Sequence, residues 1–211
     1  MDVQVLFRKA ALAGLAIVVA ALSAAPAQAA PRQERAVLAG GCFWGMEAVF
    51  EQLRGVSRVV SGFSGGNATT AHYELVSTGA TGHAESVEIT FDPAVISYRQ
   101  LLDVYFTVAH DPTELNRQGP DYGTQYRSAI FYTNDAQRRT AESTIRELTA
   151  AHRYSAPIVT QVVPFTAFYA AEAYHQHYLE NNPDDPYIVT NDLPKLKALR
   201  ERFPTLLRAH A

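Results

Sequence analysis

The sequence predicts a single domain of α+β or mixed α/β class, expected as a mixed sheet packed by helices, with a ferredoxin-like core and two long polar loops. Two observations predict it. Short β-branched or period-two segments alternate with segments of helical periodicity. Two polar stretches, 64–82 and 110–126, lack periodicity and exceed ordinary connections, which marks them as functional loops.

The elements follow in order. Arg35 to Ala39 reads as a strand, and Phe43 to Leu53 as an amphipathic helix entered through Gly40-Gly41-Cys42. Val56–Phe63 is β-branched and predicts a strand; Glu85–Phe91 (E-S-V-E-I-T-F) alternates with period two and predicts a half-buried one. Leu101, Leu102, Tyr105, Phe106 and Ala109 share a helical face over 98–109. Ser128–Thr133 is a strand, and Asn134 or Asp135 caps a helix running to about Ala151. A strand over 159–163, a helix over 167–179 and a short helix over 195–203 complete the expectation.

The N-terminus is a targeting segment. Arg8 and Lys9 precede an apolar run from Ala10 to Ala25, and Ala27-Gln28-Ala29 offers a small-x-small cleavage site. This is the layout of a secretory signal peptide over residues 1–29. The run is shorter than the roughly 20 residues of a spanning helix, so cleavage and no stable membrane insertion are expected. The mature protein would be exported, to the periplasm or beyond. A leader over 30–36, a domain over 37–203 and a tail over 204–211 follow, enough chain for one sizeable core.

The chain carries 18 basic and 21 acidic side chains, a net −3. Loss of Asp2, Arg8 and Lys9 with the signal peptide would make it −4. A mildly acidic, unpatterned surface gives no support for nucleic-acid binding. A monomer is expected. The single cysteine allows no internal disulfide.

That cysteine is the most informative residue. Gly41-Cys42-Phe43-Trp44-Gly45 places a thiol at a helix N-terminus, where unpaired N–H groups favour a thiolate and predict a lowered thiol pKa. Phe43 and Trp44 beside it suggest a pocket for something small and apolar. A buried structural thiol fits a lone cysteine too. The long loops supply polar partners: Tyr73, then Glu85 after Thr81-Gly82-His83-Ala84, then Asp121 and Tyr126. Read singly, Glu85 also fits a surface carboxylate, and the tyrosines fit core aromatics with a tethered hydroxyl. One cysteine with scattered histidines matches no zinc template, and the i, i+2 spacing of His175 and His177 points them to different faces of a helix. No metal is expected, and the histidines read as packing or surface residues.

Six segments in order carry a family resemblance: Gly41–Gly45, Gly62-Phe63-Ser64-Gly65-Gly66, Thr81–Glu85, His110-Asp111-Pro112-Thr113, 116–128 and Ala171-Glu172-Ala173-Tyr174-His175-Gln176. Together they resemble the A-type peptide methionine sulfoxide reductases over roughly 37–179. The resemblance implies roles. Cys42 would be the nucleophile and Glu85 the acid facing the sulfoxide oxygen. Phe43 and Trp44 would hold the methyl group, Tyr73 and Tyr126 would hydrogen-bond the oxygen, and Asp121 would be a further carboxylate of the site. Many members have Tyr at Phe63, Cys at Ser77, and C-terminal cysteines that resolve the oxidised nucleophile; this chain has none of these.

The expected activity is reduction of methionine S-sulfoxide, free or in proteins, through a Cys42 sulfenic acid. It would need no cofactor beyond an external thiol reductant, such as a small thiol or an exported thioredoxin-like protein. The contrasting readings are another thiol-dependent enzyme, a peroxidase or acyl hydrolase, and a non-catalytic methionine-binding module.

Overall fold

Four consecutive apolar residues, Ala36 to Ala39, are buried, which places their strand in the middle of a sheet. The computed structural model describes residues 33–209; the segment read as a signal peptide, and the first residues of the leader, lie outside them. The chain order is β1 (Glu34–Ala39), α1 (Phe43–Glu51), β2 (Val56–Ser64), α2 (Tyr73–Val76), β3 (Ala84–Phe91), α3 (Tyr98–Val104), β4 (Arg117–Gln118), β5 (Asp121–Tyr122), β6 (Ala129–Tyr132), α4 (Asp135–Ala150), β7 (Gln161–Pro164), β8 (Phe168–Ala170), α5 (Tyr178–Asn181) and α6 (Leu193–Arg202).

The main sheet runs β7-β6-β1-β3-β2-β8. Its four inner strands with α1 and α3 form the split β-α-β of a ferredoxin-like core, each neighbouring pair antiparallel. β7 adds to one edge in parallel with β6, which makes the sheet mixed, and β8 closes the other edge antiparallel to β2. Period-two alternation divides β1 between two cores. Ala36 and Leu38 join the large one with Phe50, Leu101 and Tyr105. Val37 and Ala39 join a smaller one with Ala84, Ala129 and Phe131.

Local signals place the helices. Ser97 and Gln100 form a reciprocal capping box on α3. The Asn134 side chain accepts the Gln137 N–H at 2.9 Å and starts α4. The stretch expected as one helix over 98–109 is α-helical only to Val104; Tyr105–Ala109 widens into a π-helical turn. The polar loop at 64–82 contains α2 and a 3-10 turn, and the loop at 110–126 contains the β4–β5 ribbon.

The helix expected over 167–179 does not form. Phe168–Ala170 instead pairs with Gly62–Ser64 at the sheet edge. Gly62 permits it: a Cβ there would lie 2.3 Å from the Tyr169 carbonyl oxygen. The remainder is a 3-10 turn at Ala173–His175 and the short α5. After α6, Leu206 is buried and Leu207 bridges to Leu53. No helix among the described residues is long and apolar enough to cross a membrane.

Register fixes where chemistry can occur. Leu38 faces Val87, and Ala39 faces Ala129. The end of β1, the start of β3 and the approach to β6 therefore meet at one end of the sheet. Cys42, Glu85 and Tyr126 lie at those three positions.

Candidate active site

Gly41, at φ +90°, turns the chain out of β1 and into α1. Cys42 is the residue that caps this helix, with an extended-type ψ of 125°. Its thiol is 7% exposed and unpaired by any disulfide. Phe43 and Trp44 open the helix. One cavity of about 320 Å³ is lined by Cys42, Phe43, Trp44, Tyr73, Glu85, Asp121 and Tyr126, all seven residues singled out from the sequence. Asp185 and Tyr187 line it as well.

Glu85 is 2% exposed, and its Oε2 accepts the Phe43 N–H at 3.1 Å. Burial pushes its carboxyl up to about 8; the Phe43 N–H pulls against this and Asp121 adds to the rise. Glu85 is therefore largely protonated at neutral pH. Burial, and then Glu85, raises the Tyr73 hydroxyl and raises that of Tyr126 further, so both remain neutral donors.

The expected fall in the thiol pKa is reversed. Burial, then the Glu85 and Asp192 carboxylates, raise Cys42 well above the usual thiol range. The Trp44 N–H and the Lys195 ammonium act the other way and are outweighed. A helix terminus supplies only about half a unit charge, which does not offset full burial beside two carboxyls. Asp192 reaches the first turn of α1 because residue 45 is glycine: a Cβ there would lie 2.0 Å from Asp192 Oδ1. Asp192 is completely buried and paired with Lys195 at 3.0 Å.

The aromatic wall is built from distant segments. Trp44 stacks on Tyr178, centroids 3.7 Å apart and planes 9° apart. Its indole N–H donates to His175 Nδ1 at 3.1 Å. His175 also packs on Phe43 and Tyr73, with centroids at 5.0 Å and 4.2 Å. Burial lowers the His175 pKa, which keeps the ring neutral and able to accept that bond. Glu172 Oε1 accepts the Tyr73 N–H at 3.1 Å and fixes α2. Tyr187 meets Trp44 edge-on at 5.9 Å and donates to Asp121 Oδ2 at 2.5 Å.

Sequence reasoning missed this supporting group. Glu172 and His175 lie within a quoted motif, yet the histidines read as packing or surface residues. Tyr187 follows Pro186 in a stretch rich in Pro, Asn and Asp, where no periodicity marks it.

A thiol at a helix start shares a small aromatic pocket with a buried carboxyl on a ferredoxin-like core, an arrangement suited to thiol chemistry. The comparisons give the family. Peptide methionine sulfoxide reductase matches residues 34–206. Peptide methionine sulfoxide reductase MsrA 2 of Mesorhizobium japonicum is 58% identical over 179 residues, covering 85% of this chain and 92% of that protein. The MsrA of Thermus thermophilus is 51% identical over 176 residues, covering 83% and 98%. Among solved structures, the reduced form of Mxr1 from Saccharomyces cerevisiae superposes with a TM-score of 0.68 at 35% identity, covering 72% of this chain and 87% of its own. Methionine sulfoxide reductase A of Corynebacterium diphtheriae gives 0.63 at 36%, covering 74% and 77%. The chain belongs to the A-type peptide methionine sulfoxide reductase family. It is an oxidoreductase that reduces methionine sulfoxide to methionine, a protein-repair reaction.

Proposed function

We propose that this enzyme works with Cys42 as its sole redox residue and Glu85 as its proton relay. The observation that carries this reading is the shared cavity: a buried thiol and a carboxyl held protonated at neutral pH border the same small aromatic space. The sulfoxide methyl packs on Phe43 and Trp44. The oxygen points to Glu85, with the Tyr73 and Tyr126 hydroxyls donating to it, and the S epimer satisfies all three contacts.

Glu85 gives its proton to the sulfoxide oxygen, which makes the sulfur electrophilic. The Cys42 thiol passes its proton to Glu85 and attacks. The S–O bond to methionine breaks, and the hydroxyl ends on Cys42 as sulfenic acid. Sulfoxide is reduced by two electrons and the thiol is oxidised by two; the thiol proton replaces the one Glu85 gave. Because Glu85 is neutral before the transfer, its charge does not oppose thiolate formation until the oxygen has been protonated. Asp121, bonded to Tyr187, holds that tyrosine against Trp44. These steps need no prosthetic group.

With no second cysteine, recycling falls to an external thiol. It condenses with the sulfenic acid, releasing water and leaving a mixed disulfide, and a second thiol frees Cys42. A small thiol or a thioredoxin-like protein of the exported compartment fits this role. The signal-peptide pattern supports an exported, periplasmic or secreted enzyme; we take it to act as a monomer on oxidised proteins and free methionine sulfoxide.

Single turnover tests the reading. Without reductant, one methionine should form per enzyme, and Cys42 should gain about 16 Da and take up dimedone. A single burst of methionine that leaves Cys42 unchanged in mass and unlabelled by dimedone would exclude it.

A further inference from the structure

We propose that Glu47, Glu51 and His177 form a binding site for a divalent transition-metal ion, with a donor set suited to zinc. Glu47 and Glu51 are four residues apart on α1, so both carboxylates project from one side of the helix. That side borders a second cavity, of about 920 Å³, which His177 also lines. One ligand atom from each residue lies within 4.8 Å of the other two. His177 Nδ1 is 2.8 Å from Glu51 Oε1. Ligand atoms bound to one zinc ion at about 2.0–2.2 Å sit roughly 3–3.5 Å apart, so side-chain rotations alone would complete the geometry.

A second observation points to a cation. Glu47 is 1% exposed, and its Oε2 is committed to the Ser61 hydroxyl at 3.1 Å and the His177 N–H at 2.9 Å. Its Oε1 is buried with no hydrogen-bond partner among the described residues. An unpaired buried acceptor is costly, and a metal ion beside Glu51 would satisfy it. The His177 N–H bond also holds the histidine at φ 52°, a left-handed conformation that turns the ring toward α1. His177 is half-exposed, which leaves a coordination position open to water. One nitrogen and two carboxylate oxygens with an open position suit zinc, whereas calcium and magnesium favour all-oxygen shells of six or more.

The site adjoins the substrate pocket through one residue. Tyr178, next to His177, is the residue stacked on Trp44. An ion tying His177 to α1 would brace that wall from behind. Trp44 is the chain's single tryptophan, so its emission reports on it.

Calorimetric titration of zinc chloride into the full chain carrying Cys42→Ser, which removes the competing thiol, tests the site. One zinc should bind per chain, and zinc should raise the melting temperature. Added His177→Ala or Glu51→Gln, both at solvent-accessible positions, should each weaken binding about tenfold or more and abolish the melting shift, with circular dichroism unchanged. No binding up to about 1 mM zinc, the weak end of specific affinity, would overturn the proposal. So would full affinity in either variant, which would mean that residue is not a ligand.

Discussion

Glu85 Oε2 accepts the backbone N–H of Phe43, so the proposed proton donor is anchored to the first residue of the helix that Cys42 opens. One bond sets the distance between the two reacting groups, and it joins residues 42 apart in sequence.

Glu85→Gln keeps an acceptor for that N–H but removes the acid. Turnover should fall by about 10²–10⁴-fold, the usual worth of general-acid catalysis, with the fold intact. The wild-type rate should decline as pH rises through about 8, because the protonated carboxyl is the active form and its pKa is raised to that range. The amide cannot titrate, so this limb should vanish in the variant. Because the Glu85 charge raises the thiol, its removal should also move Cys42 alkylation by iodoacetamide to lower pH. An unshifted alkylation profile would show the two groups are not coupled.

His175→Phe preserves ring volume but removes the acceptor for the Trp44 indole. Loss of one such bond is worth about 0.5–1.5 kcal/mol, so KM should rise by up to about tenfold while kcat changes little. The emission of Trp44 should shift, since its N–H loses a fixed partner. A fall in kcat at constant KM would place His175 in the chemical step instead.

Separated sulfoxide epimers test the pocket's handedness. Inverting the sulfur exchanges methyl and oxygen, which buries the oxygen against Phe43 and Trp44 without a partner. Burying an unpaired polar group costs about 1–3 kcal/mol on mutational scales, so the S epimer should be preferred by at least roughly fivefold. Equal rates would refute the placement of the methyl group.

Export predicts its own observable. N-terminal sequencing of the protein recovered outside the cytoplasm should begin near Ala30. An intact Met1 or Asp2 in that fraction would rule out cleavage after Ala-Gln-Ala.

What the sequence revealed depended on how local each cause is. The cap at Asn134 and the alternation of Glu85–Phe91 are written within a few residues, and both predicted their elements. The strand at Phe168–Ala170 was misread as helix because three residues carry no usable period; the edge of β2 decides their state. Cys42, Phe43, Trp44 and Glu85 could be singled out because six motifs in order carry the family resemblance; read singly, each also fits an ordinary packing or surface role. The direction of the Cys42 shift was not legible, since the burial that dominates it, and then the carboxyls of Glu85 and Asp192, arise only once distant segments pack around the thiol. His175 and Glu172 acquire their tasks from Trp44 and Tyr73, 131 and 99 residues away. The ligands proposed for zinc likewise come from segments 130 residues apart, which no spacing template covers.

The late origin of the pocket wall has a consequence for biosynthesis. Glu172, His175, Tyr178 and Tyr187 are made at least 130 residues after Cys42. A chain truncated after β6 retains every strand of the ferredoxin-like core and the thiol, yet lacks the stacked partner of Trp44 and the anchor of α2. Turnover therefore certifies that the chain has been made at least as far as Tyr187. Premature termination would yield a protein that holds the nucleophile and cannot grip its substrate.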